Sequence, residues 1–245
     1  MKMYKGFDKD LKCRDFQYEI GKTYEEPTAE LCEKGFHACE YPLDVFRYYF
    51  PGSMSRYCEV DLDDVCDKKS NEDSKRCGKK IAVKAEIGIA GLVKAAIEYT
   101  MEKAIPENSE HATGDYGAAS ATGDYGAASA TGWRGAASAT GDYGVASATG
   151  DYGVASATGG RGAASATGDY GVASATGEES VAAALGIDSK AKGALGCWIV
   201  IAEWERDEEF NWHRKDVQCF KVDGKNIKPN IWYKLKNGKL VEVDE

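Results

Sequence analysis

Ala112-Thr113-Gly114-Asp115-Tyr116-Gly117-Ala118-Ala119-Ser120 opens a series of near-identical nonapeptides that runs to residue 180, with Thr113, Thr122, Thr131, Thr140, Thr149, Thr158, Thr167 and Thr176 marking the repeats. Self-similarity at a fixed period marks a repeat architecture, in which each unit buries its apolar face only against its neighbours. The unit divides into a four-residue corner, Gly114-Asp115-Tyr116-Gly117, and a five-residue run, Ala118-Ala119-Ser120-Ala121-Thr122. Two glycines that accept positive φ, with Asp beside them, make the corner a turn. A Gly- and Ser-rich linker shares this composition, but it has no need of a fixed period or of tyrosine at five corners. The stretch therefore predicts a β-solenoid.

The side chains also predict how the solenoid coils. Alternation along a strand puts Ala119 and Ala121 on one face and Ala118, Ser120 and Thr122 on the other. The equivalents of Ala119 and Ala121 stay Ala through Ala173 and Ala175, whereas the position of Ala118 drifts to Val145, Val154 and Val172. An interior lined by methyl groups cannot fill a wide tube without voids. A flattened coil of 18 residues, two repeats per turn, is the expectation, about four coils tall at roughly 4.8 Å per coil. A competing signal is the order of the corners, where Trp133-Arg134 and Gly160-Arg161 interrupt Asp-Tyr three repeats apart, before Glu178-Glu179 ends the series. A three-sided coil of 27 residues would stack Arg134 over Arg161, but it needs larger interior side chains. Duplication of a 27-residue segment explains the same pattern.

Composition narrows the function classes. The formal charge of −9 argues against a generic binder of nucleic acid or anionic membrane, which needs a positive field. No apolar run approaches a membrane span, and Met1-Lys2-Met3-Tyr4-Lys5-Gly6 does not read as an export signal. A cytoplasmic setting with reduced thiols is the expectation for the eight cysteines. Cys32, His37 and Cys39 cluster without a Cys-x-x-Cys pair, so no metal site is expected.

Along the rest of the chain, Gly35–Cys39, Arg56–Leu62, Ile81–Ile87, Val217–Val222, Ile231–Leu235 and Leu240–Val243 alternate as strands. Pro42 begins a helix with Leu43, Val45 and Phe46 on its apolar face, and Ile89–Ala104 is a second helix. Residues 63–80 are polar and predict an exposed loop. Cys197–Trp204 is apolar and β-branched enough to be a central strand, and Asn237-Gly238 is a hairpin turn. A short C-terminal set of strands cannot form a core alone. The expected architecture is a discontinuous α+β domain, residues 1–105 plus 195–245, with a β-solenoid inserted over 106–194.

No nucleotide-binding loop, nucleophile elbow or zinc-protease motif occurs, and His37, His111 and His213 are the only histidines. One constellation carries chemistry. The strand Gly35-Phe36-His37-Ala38-Cys39, a helix reaching Tyr48-Tyr49, and the strand Tyr57-Cys58-Glu59-Val60-Asp61-Leu62 together resemble the element order of ADP-ribosyltransferase-type domains. That resemblance implies NAD as cofactor, Tyr48 or Tyr49 stacking the nicotinamide, Glu203 as the late-strand acid and His37 lining the pocket. The chain departs from it in lacking a His-Gly-Ser/Thr segment and an Arg-Ser-Glu arrangement.

Over most of its length, through Tyr4–Leu11, Gly35–Phe46, the nonapeptides, and Val222-Asp223-Gly224-Lys225 through Trp232-Tyr233, the sequence resembles an uncharacterised family of phage and prophage proteins. The resemblance implies a phage context inside a bacterial host cell. The residues themselves favour binding over turnover. Stacked corners would present Asp115, Tyr116, Asp124, Tyr125, Asp142, Tyr143, Asp151, Tyr152, Asp169 and Tyr170 at regular spacing on a rigid rod, which loses little entropy on binding. Trp133, Arg134 and Arg161 break the pattern, and Trp and Arg are anchor types at interfaces; the plainer reading is that they vary a solvated corner. The expected function is a non-enzymatic inhibitor or capture protein for a host protein or complex, such as a defence or nucleic-acid-processing assembly. Direct nucleic-acid binding, membrane binding and a required cofactor are not expected. An NAD-dependent transferase with a solenoid insertion is the alternative.

Overall fold

The run Ala118–Thr122 folds as a strand with Ala119 and Ala121 buried and its other residues exposed, as the alternation requires. The computed structural model describes residues 1–51, 54–70, 73–103 and 110–244. Successive strands of one sheet lie 18 residues apart in register. Ala118 pairs with Ala136, Ala136 with Val154 and Val154 with Val172 in one sheet, and Ala127, Val145, Ala163 and Val181 align likewise in the other. All these pairings are parallel, and two repeats make one coil. The β-solenoid spans residues 110–201 in about five turns. Three-repeat stacking is not realised: Arg134 falls in the corner column of Tyr116, Tyr152 and Tyr170, and Arg161 in that of Tyr125, Tyr143 and Glu179. Residues 104–109, which hold Pro106 and the expected boundary at 105, lie outside the described residues.

Methyl groups fill the interior. Ala119, Ala121, Ala128, Ala130, Ala137, Ala139, Ala146, Ala148, Ala155, Ala157 and Ala164 form one buried cluster. The corners work differently from the expectation that glycine supplies positive φ throughout. The left-handed position is the third corner residue, with φ of 59° at Tyr116, 54° at Arg134, 57° at Arg161 and 57° at Glu179. Such a conformation costs an L-residue about 1 kcal/mol, offset here by hydrogen bonds between coils such as Tyr116 N–H to Trp133 O, 2.8 Å. The first corner glycine is required mainly by stacking. A Cβ on Gly132 would lie 1.9 Å from Gly114 O, and one on Gly177 would lie 1.7 Å from Gly159 O.

The last coil, where the repeat degrades within the expected insertion, holds its register, and Val181–Ala184 and Lys190–Gly193 continue both sheets. In its corners Ser180 and Ser189 replace the second glycine. Ser180 Oγ accepts from Gly162 N–H at 3.0 Å and donates to Gly159 O at 2.7 Å, and Ser189 repeats this with Gly171 and Gly168.

The C-terminal strands do not follow the expected grouping with residues 1–105. The chain divides into two units, Met1–Ala96 and Ile97–Glu245. Trp198–Arg206 is central, as expected, but its neighbours are Val181–Ala184, parallel, and Trp212–Lys221, antiparallel. Trp232–Lys236 joins the other sheet through Ala191 opposite Tyr233, then pairs with Lys239–Val243. The C-terminal residues need a partner core, and the solenoid's final coil supplies it. Ile199, Ile201, Val222, Tyr233 and Leu235 pack with Ala182, Ala184 and Ala191, so large side chains close the methyl-lined interior like the terminal cap of a repeat array.

The N-terminal unit is mostly β. Its strands are β1 (Lys2–Phe7), β2 (Lys12–Cys13), β3 (Phe16–Gln17), β4 (Thr23–Glu25), β5 (Phe36–Cys39), β6 (Arg56–Val65) and β7 (Lys75–Glu86). β5, β1 and β6 lie in that order, and both β5 and β6 pair with β7, so these four antiparallel strands form a closed ring around Met3, Phe7, Phe36, Val60, Leu62, Ile81 and Val83. The expected helix after Pro42 is a 3-10 helix, Pro42–Arg47. The second helix is Gly88–Lys103, with Leu92, Val93, Ala95 and Ala96 buried. Part of the expected loop over 63–80 is instead the end of β6 and the start of β7, joined by a Cys66–Cys77 disulfide with Cα atoms 5.8 Å apart. This differs from the expectation that all thiols are reduced. No described helix is long and apolar enough to cross a membrane.

Candidate functional site

β1 and β5 are neighbours, with Tyr4 opposite Cys39, and the 3-10 helix after β5 leads into Tyr48 and Tyr49. Gly6 lets Tyr49 pack against β1, since a Cβ there would stand 2.7 Å from Tyr49 Cβ. A cavity of about 620 Å³ is lined by Lys5, Cys13, Tyr18, His37, Tyr48, Tyr49 and Lys75, among others. That volume is in the range of small-molecule sites. Of the residues expected in a transferase pocket, His37, Tyr48 and Tyr49 come together. Glu203 does not, because it lies in the other unit, where its carboxylate accepts Asn237 N–H at 2.8 Å and Gly238 N–H at 2.7 Å. The hairpin turn predicted at Asn237-Gly238 holds this acid as a structural cap.

Lys5 is the residue the sequence did not disclose. Its side chain is buried, with 6% exposure, and Nζ donates to His37 O at 2.8 Å and to Cys13 Sγ at 3.5 Å. It stands 5.6 Å from the ring centroids of both Phe7 and Tyr18. An ammonium has three N–H donors, and a thiol sulfur is a weak acceptor. Among the described residues no carboxylate forms an ion pair with it. Burying an ion costs several kcal/mol, whereas each ring contact returns about 1–2 kcal/mol. The site therefore holds a positive charge that its own residues compensate only in part.

His37 is a tether. Its Nε2 accepts the Cys32 N–H at 2.9 Å, and burial, followed by the charges of Lys5, Lys75 and Arg14, pulls its pKa from 6.5 down to about 4. It stays neutral at neutral pH and fixes the turn that Cys32 enters with φ of 69°. Between about pH 6.5 and 4 the unfolded chain takes up a proton that the folded one refuses, so stability falls as pH falls through that window. The N-terminal unit is expected to have a lower urea midpoint at pH 5.0 than at pH 7.5, with a smaller difference in His37→Asn. Far-UV dichroism follows both units and tryptophan fluorescence only the other, which contains all five tryptophans, so the transition seen by dichroism alone is that of this unit.

Tyr48 O–H donates to Asp73, and Lys75 Nζ lies 4.6 Å from the Tyr48 ring centroid. Burial, then Asp73, pushes this phenol up to about 12, and burial with the neighbouring Cys13 pushes Tyr49 upward too. Both remain protonated at neutral pH, as donors and stacking surfaces rather than bases. Among the described residues no cluster could hold a metal ion.

In the other unit the expected partner-binding residues separate onto two edges of the rod. One carries Tyr116, Trp133, Arg134, Tyr152 and Tyr170 with Asp115, Asp151 and Asp169. Here Tyr116 and Trp133 meet edge to face at 5.1 Å, and Tyr152 and Tyr170 stack at 4.9 Å. The Arg134 guanidinium carbon stands 4.3 Å from the Trp133 ring centroid, 5.6 Å from that of Tyr152 and 5.9 Å from that of Tyr116. The other edge carries Asp124, Tyr125, Asp142, Tyr143 and Arg161. Tyr125 stacks on Tyr143 at 4.9 Å, and Arg161 bonds Tyr143 Oη and pairs with Glu179 at 3.3 Å. The aspartates also cap the next coil: Asp115 Oδ1 accepts Trp133 N–H, Asp124 accepts Asp142 N–H, and Asp151 accepts Asp169 N–H. Trp133 has no carboxylate to pass on, so this ladder breaks there and resumes at Asp151.

Residues 1–95 match the family model of a domain of unknown function, DUF7666. The matched segment contains every residue that lines the cavity and ends before the solenoid. No curated protein and no solved structure matches the chain.

Proposed function

We propose that this chain is a recognition protein, and that the solenoid edge bearing Tyr116, Trp133, Tyr152 and Tyr170 captures an extended, basic segment of a partner protein. The observation that supports this reading is Arg134. Its guanidinium already occupies a seat among three aromatic rings, which displays the chemistry this edge accepts. One coil further on, Tyr152 and Tyr170 stand beside Asp151 and Asp169 with no arginine in their corners. Among the corner residues of this column, Asp115, Asp151 and Asp169 oppose the single cation Arg134, Asp188 being paired with Lys234 at 2.8 Å, so the edge favours a cationic partner over nucleic acid. Parallel strands at fixed spacing hold the seats rigid, which limits the entropy lost on capture. By the resemblance to phage proteins, the partner is a host protein or complex, and capture inhibits it.

The test is fluorescence titration with an Arg-Ser repeat peptide, against a Glu-Ser repeat and oligothymidylate. Only the first is expected to bind. Tyr152→Ala should weaken it about tenfold, the equivalent of one or two ring–cation contacts, as should Trp133→Ala. Arg134→Ala empties the internal seat and should tighten binding. Equal affinity for all three polymers, or weakening by Arg134→Ala, overturns the reading. The NAD-dependent alternative has one supporting observation, the cavity that gathers His37, Tyr48 and Tyr49. It needs a carboxylate other than Glu203, and absence of NAD binding by calorimetry would end it.

A further inference from the structure

The N-terminal cavity carries its own chemistry, independent of what the rod binds. Its floor includes the buried Lys5 ammonium, with one good acceptor and no carboxylate partner among the described residues. Arg14, Lys34 and Lys75 also line it, against Asp15, Glu26 and Glu33, in a chain whose formal charge is −9. Local enrichment in cations against that overall sign is a property of the site. Its walls are aromatic: Phe16 packs tilted on Tyr18 at 4.7 Å and edge to face on Phe36 at 5.9 Å, and Tyr48 and Tyr49 line the cavity as protonated phenols.

We infer that this cavity binds a small organic anion built on a planar ring, with its phosphate or carboxylate head on Lys5 and its ring against the aromatic wall. The head group supplies the acceptor and the negative charge that Lys5 lacks, and the ring covers apolar surface otherwise left to water. Lysine is suited to this as a compact point charge with rotatable donors. Cys13, whose Sγ is 3.5 Å from Lys5 Nζ, sits beside the anion's seat, so occupancy should shield it from alkylation.

The experiment uses the full chain. Adenosine 5′-monophosphate and benzoate are the phosphate and carboxylate probes, adenosine is the ring alone and inorganic phosphate the head alone, each titrated by calorimetry. Iodoacetamide labelling of Cys13 is followed in parallel by peptide mass spectrometry. At least one of the two ring-bearing anions should bind at one per chain and slow Cys13 labelling at least tenfold. Adenosine and phosphate should each bind at least tenfold more weakly, and the probe that binds tells phosphate from carboxylate. Lys5→Met should abolish binding. Should that variant fail to fold, Lys75→Gln, checked by thermal unfolding, should weaken the same probe severalfold. The inference is overturned if neither anion binds or protects Cys13 at millimolar concentration, if adenosine binds as well as the monophosphate, or if the folded lysine variants bind as the parent does.

Discussion

Gly177→Ala is expected to destabilise the solenoid unit by about 3 kcal/mol, the upper end of what overpacking against an unyielding neighbour costs. The added Cβ would fall 1.7 Å from Gly159 O and 2.1 Å from Gly159 C. Both are backbone atoms of the preceding coil, pinned by the ladder, so relief requires two coils to part. Gly160→Ala is the control, because its Cβ meets only the Asp142 side chain at 3.1 Å, and its equivalents in other corners carry Asp, Trp, Glu or Ile. That change should stay within about 0.5 kcal/mol. Since all five tryptophans lie in Ile97–Glu245, tryptophan fluorescence during urea unfolding reads this unit selectively. Equal midpoints for the two variants would show that coil contact does not dictate the glycines.

Glu203→Ala is the second large effect, also expected near 3 kcal/mol, as two charge-assisted bonds to turn amides are lost from a buried position. The carboxylate reaches from Trp198–Arg206 in one sheet to the hairpin turn that closes the other. With it gone, Asn237 and Gly238 keep their left-handed φ values of 52° and 69° without acceptors for their N–H groups. Glu203→Gln retains one carbonyl oxygen and should lose about half as much. A catalytic acid would behave in the opposite way, leaving stability intact in both variants. Thermal unfolding followed by tryptophan fluorescence should show a lowering of about 6–12 °C for the Ala variant.

Much of the rod was legible because constancy was confined to the interior positions. Alanine at 119, 121 and their equivalents, against drift at 118, carries both the alternation and the narrowness that forces a two-sheet coil. The final coil was legible only as a degraded end of the array, because its corners, Glu178-Glu179 and Ile187-Asp188, abandon the Asp-Tyr signature, although the fold asks only for small interior residues, a first corner glycine and a left-handed third position. For Cys197–Trp204, apolarity announced a central strand but could not name its neighbours, and the solenoid's open end won over the N-terminal sheet. Cys66 and Cys77 were beyond reach because spacing alone does not set connectivity. The pocket was half legible. Aromatic and histidine residues stand out by type, whereas the burial of Lys5 depends on which strand faces it, and nothing in Tyr4-Lys5-Gly6-Phe7 marks that lysine as interior.

The 18-residue stagger between stacked strands imposes a parity on how this gene can lengthen. Adding an even number of nonapeptides preserves every side chain's edge, whereas an odd number transposes everything downstream to the opposite side. Duplication in steps of three, as the corner order suggests, is odd, and it accounts for Arg134 and Arg161 standing on opposite edges. Lineages that expand or contract the array by one unit would exchange their two margins at a stroke, with the alanine interior undisturbed.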